Sequence, residues 1–279
     1  MPRTDPGANL PDLVLLPGFV GMNMDDAAGR RIWLSTLPIA TGELAPHLAL
    51  DPSGAGDASP GLGVRPSGPI GFVYGRALRA FEEAGLTTHV FPLECRQDVL
   101  RSAAQLADFV RAIAAARPGK RFVFVGHSMG AILAALYPYN DPDWEERIAA
   151  ALFFGGTLAG TFEPVEGLTG THWFLQVIGV GDPVRERAIR QAMSTWPGIF
   201  SMLPDPQSFP DAVAVYDAGT SDGITPYLVM EYLEGCTLDS LLRQQGPLPL
   251  PRCATIISQV CDVLSYAHAR DIVHRDIRP

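Results

Sequence analysis

The sequence predicts an α/β fold, and three observations carry the prediction. Apolar, β-rich runs alternate with segments of helical period, one such run leads through Gly126-His127-Ser128-Met129-Gly130 into a helix-forming stretch, and the composition supplies a core. Hydrophobic residues make up 47% of the 279 and charged residues 18%, the balance of a globular and not a disordered chain. The length exceeds a usual domain of roughly 100 to 200 residues, so one large α/β domain or two smaller units are both open. A net charge of −9 opposes general attraction to nucleic acid or to anionic membrane surfaces. No uninterrupted apolar stretch approaches the roughly 18 residues of a membrane span. The N-terminus, where Arg3 and Asp5 precede an apolar run broken by Pro17 and Gly18, makes a poor signal peptide, so a cytoplasmic location is the expectation. Cys95, Cys236, Cys253 and Cys261 are widely spaced with no CxxC pair, which predicts buried thiols and no metal.

The elements follow in order. Asp12-Leu13-Val14-Leu15-Leu16, stopped by Pro17-Gly18, predicts a buried strand ending in the loop Gly18 to Gly21. From about Gly42 to Gly71 the chain is rich in Gly, Pro, Ser and Asp, which predicts a long irregular excursion, flexible at Asp51 to Pro69, that adds little core. Tyr74 to Ala84 and Val99 to Ala116 have helical period, with a strand at Thr88 to Leu93 between them. Arg121 to Val125 is a strand, Ala131 to Tyr137 a helix, and Ile148 to Phe154 a further buried strand. The alternation predicts a mainly parallel sheet covered on both faces. Gly155 to Leu203 holds one good helix, Pro183 to Met193, and reads as an inserted cap. Beyond it, Ala212 to Gly219 and Tyr227 to Tyr232 form a hairpin, and Leu238 to Gln244 and Arg252 to Ala269 are helical.

The Gly-x-Ser-x-Gly turn has a physical reason. A serine on a sharp strand-to-helix turn has strained dihedrals, and only small residues at Gly126 and Gly130 avoid the flanking strand and helix. The turn lifts the Ser128 hydroxyl clear of the sheet as a nucleophile. The helix N-terminus aims the Met129 amide at a developing oxyanion, and the Phe19 amide of the first loop is the expected second donor. His127, next to the serine, points away from it and is expected to pack beside the elbow. This chemistry needs neither metal nor organic cofactor.

From about Pro11 to Leu203 the chain resembles the lecithin:cholesterol acyltransferase group of α/β-hydrolases, related to lipases and bacterial acylhydrolases. The resemblance lies in Leu15-Leu16-Pro17-Gly18-Phe19, in Arg31-Ile32-Trp33-Leu34 with a leucine-rich stretch reaching Leu50-Asp51-Pro52, in the elbow, and in Thr195-Trp196-Pro197 to Met202-Leu203-Pro204. It implies ester or acyl-transfer chemistry at Ser128 on a small-molecule acyl or lipid ester. In this fold an acid and then a histidine follow the serine on later strands. His172 precedes the Trp-Pro block, too early for the family's base, and Asp182, Asp205 and Asp211 have no strand, loop and histidine of the same domain after them. The hydrolase region is therefore expected to end before its own base. His172 and Asp182 are the base and acid that an active enzyme would have to recruit.

The tail resembles a bacterial-type serine/threonine protein kinase, from about residue 210 to 279. It carries Leu228-Val229-Met230-Glu231-Tyr232-Leu233-Glu234-Gly235, a long helix, and Val273-His274-Arg275-Asp276. The resemblance implies that Glu231 and Leu233 lie in the adenine-binding hinge and that Asp276 would accept the substrate hydroxyl's proton. It also puts Arg278 where the family usually has a phosphate-contacting lysine. No Gly-rich phosphate loop or strand lysine with its helix glutamate precedes this segment, and neither a metal-binding Asn after Asp276 nor Asp-Phe-Gly is in the chain. ATP and Mg would be cofactors only of a complete kinase, and no kinase activity is expected of this chain. The expected organisation is a tail (1–10), a C-terminally truncated α/β-hydrolase (11–204), a junction (205–211) and a kinase fragment (212–279). An impaired serine esterase or acyltransferase, a truncated kinase and a non-catalytic chimera of the two are all open, and the oligomeric state is not legible.

Overall fold

The computed structural model describes residues 10–158, 160–161, 163–170, 172–203, 215–221, 225–230, 238–249 and 252–260. Its centre is strand β1 (Asp12–Leu16), whose five residues are all buried. Alternation along the strand decides what each side chain meets. Val14 and Leu16 face one core, and Leu13 and Leu15 face another. The chain turns through Gly18 to Gly21 into β2 (Met22–Asp25), then α1 (Thr36–Thr41) and α2 (Leu44–Leu48), and pairs β3 (Arg65–Pro69) antiparallel with β2. Helix α3 (Gly71–Glu83) packs Tyr74, Leu78 and Phe81 on the Leu13/Leu15 side.

Strand β4 (Thr88–Val90) joins β1 in parallel, and α4 (Val99–Ala116) follows. The α4 start is dictated by Asp98, whose carboxylate accepts from the Leu100 and Arg101 amides. The buried face of α4, Val99, Ser102, Ala103, Leu106, Ala107 and Val110, repeats at the three- and four-residue spacing of one helical stripe. It meets Phe122 and Phe124 of β5 (Phe122–His127) and Leu133 of α5 (Met129–Leu136) in the Val14/Leu16 core. After α6 (Trp144–Arg147), β6 (Ile148–Phe154) completes a four-stranded parallel sheet of order β4-β1-β5-β6. The α/β class and the parallel pairing match the sequence expectation.

Two expectations are corrected. The stretch from Gly42 to Gly71 is not a coreless excursion: Leu44, Ala45, Leu48, Leu50, Val64 and Ile70 lie in a second core with Met24, Ile32 and Trp33. Its polar turn residues order it through hydrogen bonds. Asp51 accepts from the Ser53 amide (2.8 Å), Asp57 accepts from the Val64 amide (2.8 Å), and the Leu50 amide donates to Thr195 (2.8 Å). Arg96, only 2% exposed, donates to Glu94 through Nε (2.9 Å) and Nη2 (2.8 Å), to Asp57 (3.0 Å) and to the carbonyls of Leu48 and Val64. Burial alone would pull the guanidinium pKa down, but the two carboxylates outweigh it and raise it.

Strand β6 sits where expected but is not buried: Leu152, Phe153 and Phe154 are 49%, 45% and 55% exposed. Among the described strands it is the sheet edge, paired on the β5 side alone. An apolar run does not distinguish a central strand from an edge.

The cap expected between Gly155 and Leu203 is helical throughout its regular elements. These are α7 (Glu163–Thr169), α8 (Trp173–Ile178), α9 (Pro183–Met193) and α10 (Pro197–Phe200). Leu168, Leu175, Ile178, Ile189, Ala192, Trp196 and Ile199 share the second core with the 44–70 stretch. Further on, β7 (Val215–Ser221) and β8 (Thr225–Met230) form the expected antiparallel hairpin. The chain divides into compact units at Glu231/Tyr232. The second unit contains α11 (Leu238–Gln245), closed by Gly246 at φ +72°, and helical residues 252–260. Among the described residues no helix is long and apolar enough to cross a membrane. No cluster of three or more His, Cys, Asp or Glu among them could hold a metal ion.

Candidate active site

After β1 the chain crosses to β4 on one side of it and returns to β5 on the other, so the strand order reverses between β1 and β5. In an open parallel sheet the crevice beyond the carboxyl ends of the strands at such a reversal is where ligands bind. Leu16 pairs with Gly126 there, and Ser128 stands just past the end of β5 as the residue capping α5.

Ser128 has φ 53° and ψ −121°, a strained backbone for a non-glycine residue. Its environment imposes that conformation. The Ser128 amide donates to the Phe154 carbonyl (3.0 Å), and its own carbonyl accepts from Ala131 (2.9 Å). A Cβ on Gly130 would lie 2.1 Å from the Leu16 carbonyl oxygen, and one on Gly126 would lie 3.0 Å from the Ala131 backbone. The two glycines therefore let α5 start directly against the end of β1. Among the described residues the Ser128 hydroxyl makes no hydrogen bond, and the Phe19 and Met129 amide N–H groups have no acceptor. Met129 is fully buried at the first position of α5, while the Phe19 ring stacks at a tilt on Trp196 with centroids 5.9 Å apart.

The loop carrying Phe19 is seated on the elbow. A Cβ on Gly18 would fall 2.8 Å from His127 Nδ1 and 3.0 Å from the Ser128 Cβ. Val20 is held at φ 49°, rare for a β-branched residue. Trp33 Nε1 donates to its carbonyl (3.1 Å), and the Gly21 amide closes the turn on the Gly18 carbonyl (3.0 Å). Behind the loop, burial pushes the Cys95 thiol up to about 12, the Glu94 charge adds to the rise, and the Val20 amide opposes it. Cys95 is an inert buried thiol, as expected from the sequence.

His127 packs beside the elbow, edge-on to Tyr74. Tyr74 Oη accepts the Gly18 amide (2.8 Å) and lies 2.9 Å from His127 Nδ1. Burial raises the phenol's pKa and the Gly18 N–H opposes the rise, so the group is a neutral hydroxyl at any ordinary pH. Neither Tyr74 nor Trp33 is among the site residues suggested by the sequence. The available signal is the glycine pair Gly18 and Gly21: a Cβ on Gly21 would lie 2.7 Å from Tyr74 Oη, so both glycines leave room for a large neighbour.

His172 and Asp182 are helix caps. His172 precedes α8 and its Nδ1 accepts from the Phe174 amide (3.3 Å). A serine's base instead needs Nδ1–H donated to a carboxylate, leaving Nε2 free for the hydroxyl. Asp182 precedes α9, accepts from the Val184 amide (2.8 Å) and pairs with Arg185 (3.4 Å). Among the described residues these are its polar side-chain partners, so the suggested acid and base are not joined. The Asp182-Pro183 sequence is itself a helix-start signal. Glu231, Leu233, His274, Arg275, Asp276 and Arg278 lie outside the described residues.

Residues 205–279 match the family model described as the protein kinase domain. The C-terminal segment is protein-kinase-like. Over 73 residues it is 42% identical to the serine/threonine-protein kinase PknB of Mycobacterium leprae, which covers 25% of this chain and 12% of that protein. PrkC of Bacillus subtilis is 43% identical over 70 residues, covering 25% of this chain and 11% of the relative. PknH of Mycobacterium bovis is 40% identical over 99 residues, covering 35% of this chain and 15% of the relative. The chain thus spans only a small part of the curated kinases it matches.

Among solved structures, the mature form of the Bacillus licheniformis lipase BlEst2 aligns with 72% of this chain and 66% of its own, at 14% identity and a TM-score of 0.36. Its propeptide form aligns with 76% and 33%, at 15% identity and the same TM-score. The N-terminal part is α/β-hydrolase-like on its own evidence: the parallel sheet, the strand reversal and the strained serine between strand and helix.

Proposed function

We propose that Ser128 is the nucleophile of an acyl-ester site, an esterase or acyltransferase acting on a lipid or other acyl ester. The observation that carries this is the backbone of Ser128, strained at φ 53° at the start of α5, where its hydroxyl stands free at the strand reversal. Strain of this kind persists only where surrounding structure enforces it. In the proposed reaction Ser128 Oγ bonds to the acyl carbon and the alcohol oxygen leaves, taking up the proton the serine gives up. Water or a second alcohol then releases the acyl group. The Phe19 and Met129 amides receive the oxyanion of each tetrahedral intermediate.

Turnover is slow in this reading, because His172 and Asp182 serve as caps. The expected result with p-nitrophenyl butyrate is hydrolysis that Ser128→Ala abolishes and that climbs steadily with pH. A serine without a base depends on hydroxide, whereas a recruited histidine would give a plateau above roughly pH 6.5. Equal hydrolysis by Ser128→Ala would remove the proposal.

Phosphoryl transfer is not proposed for this chain. The residues preceding the kinase-like segment offer no Gly-rich loop or strand lysine to hold phosphates and metal, and positioning of these groups is nearly all of that chemistry.

A further inference from the structure

We infer that Tyr74 is a positioning residue for acyl transfer at Ser128, tying the loop that carries one oxyanion donor to the elbow that carries the nucleophile and the other. The inference rests on the reading of Ser128 as nucleophile. Tyr74 comes from α3, an element that takes no direct part in the chemistry, yet its hydroxyl meets both halves of the site. It accepts from the Gly18 amide (2.8 Å), one residue before Phe19, and contacts His127 Nδ1 (2.9 Å), one residue before Ser128. A phenol that accepts from Gly18 keeps its own proton to give. The arrangement that satisfies every group runs from Gly18 N–H to Tyr74 Oη, and from Tyr74 O–H to His127 Nδ1, which leaves the imidazole proton on Nε2.

The surrounding residues are shaped for this link. A Cβ on Gly18 would fall 2.8 Å from His127 Nδ1, and one on Gly21 would fall 2.7 Å from Tyr74 Oη. The ring is buried among Leu13, Leu15 and Val125, so the hydroxyl is placed by strands β1 and β5 themselves. Loop and elbow thereby share one fixed point. Two amides separated by more than a hundred residues of chain must converge on a single oxygen, and a misplacement of about 1 Å can cost on the order of a hundredfold in rate.

The test begins on the wild-type chain, where nitrogen NMR of the imidazoles reports the His127 tautomer. Nε2–H with an unprotonated, hydrogen-bonded Nδ1 is expected, and a protonated Nδ1 overturns the link. Kinetics with p-nitrophenyl butyrate follow for wild type, Tyr74→Phe and Gly18→Ala, the last crowding the same junction while keeping the phenol. Both variants are expected to lose about ten- to a hundredfold in kcat with KM changed less than about twofold, since the loss is of transition-state geometry. Ser128-dependent turnover that is unchanged in both variants overturns the role of Tyr74 alone. Wild-type turnover independent of Ser128 overturns the nucleophile and its positioning residue together.

Discussion

Strands β1 and β6 lie on either side of β5 and are both apolar runs, yet every residue of β1 is buried while Leu152, Phe153 and Phe154 of β6 are about half exposed. What differs is the neighbours. β1 has a strand on each edge, α3 on one face and α4 and α5 on the other, whereas β6 has β5 alone among the described strands. The elbow between them inherits the asymmetry. Toward β1 it meets the Leu16 carbonyl, the Gly18 loop and the Tyr74 hydroxyl; toward β6 its described polar contact is the Phe154 carbonyl. Most of the described contacts that shape the turn thus come from the β1 side of the sheet.

The comparison can be broken most severely at Gly130. Gly130→Ala puts a methyl 2.1 Å from the Leu16 carbonyl, backbone that cannot rotate away. A loss of about 3 kcal/mol or more is expected, seen as a collapsed urea midpoint or insoluble protein. Leu16→Ala removes a fully buried side chain and should cost about 2 to 5 kcal/mol. Phe153→Ala on the exposed strand should cost less than about 1 kcal/mol despite its larger side chain. Equal shifts in the urea midpoint for these two would erase the distinction between the strands. Asp182→Ala should cost only about 1 kcal/mol, the value of a helix cap, and leave ester turnover within about twofold. A large loss of turnover would instead restore Asp182 as the catalytic acid.

Much of this architecture is legible in the sequence, for reasons that differ by element. Helices α4 and α9 are read to the residue because an amphipathic stripe and an acidic cap, Asp98 or Asp182, mark them locally. The elbow is legible because its glycines answer a steric demand. The burial of β6 is not, since an edge differs from a centre only through partners elsewhere in the chain. The order in residues 42 to 71 is hidden for a similar reason. Its turn residues look like loop, and what fixes them is Arg96 in the loop between β4 and α4 and Thr195 in the cap. At the site, Ser128, Phe19 and Met129 are suggested by motif, while Tyr74 emerges only once α3 is folded onto β1. His172 and Asp182, suggested by their chemistry, each accept a backbone amide at the start of a helix.

The central claim is that the elbow at Ser128 is a working acyl-ester site and not merely a tight turn. Intact mass after exposure of the purified chain to a fluorophosphonate, with Ser128→Ala alongside, tests it most directly, because slow phosphonylation marks a serine held against oxyanion donors and not one that is simply exposed. A single slow adduct on the wild-type protein and none on Ser128→Ala is the expected result. A folded wild-type chain that stays unlabelled, or an adduct that persists in Ser128→Ala, would contradict the account.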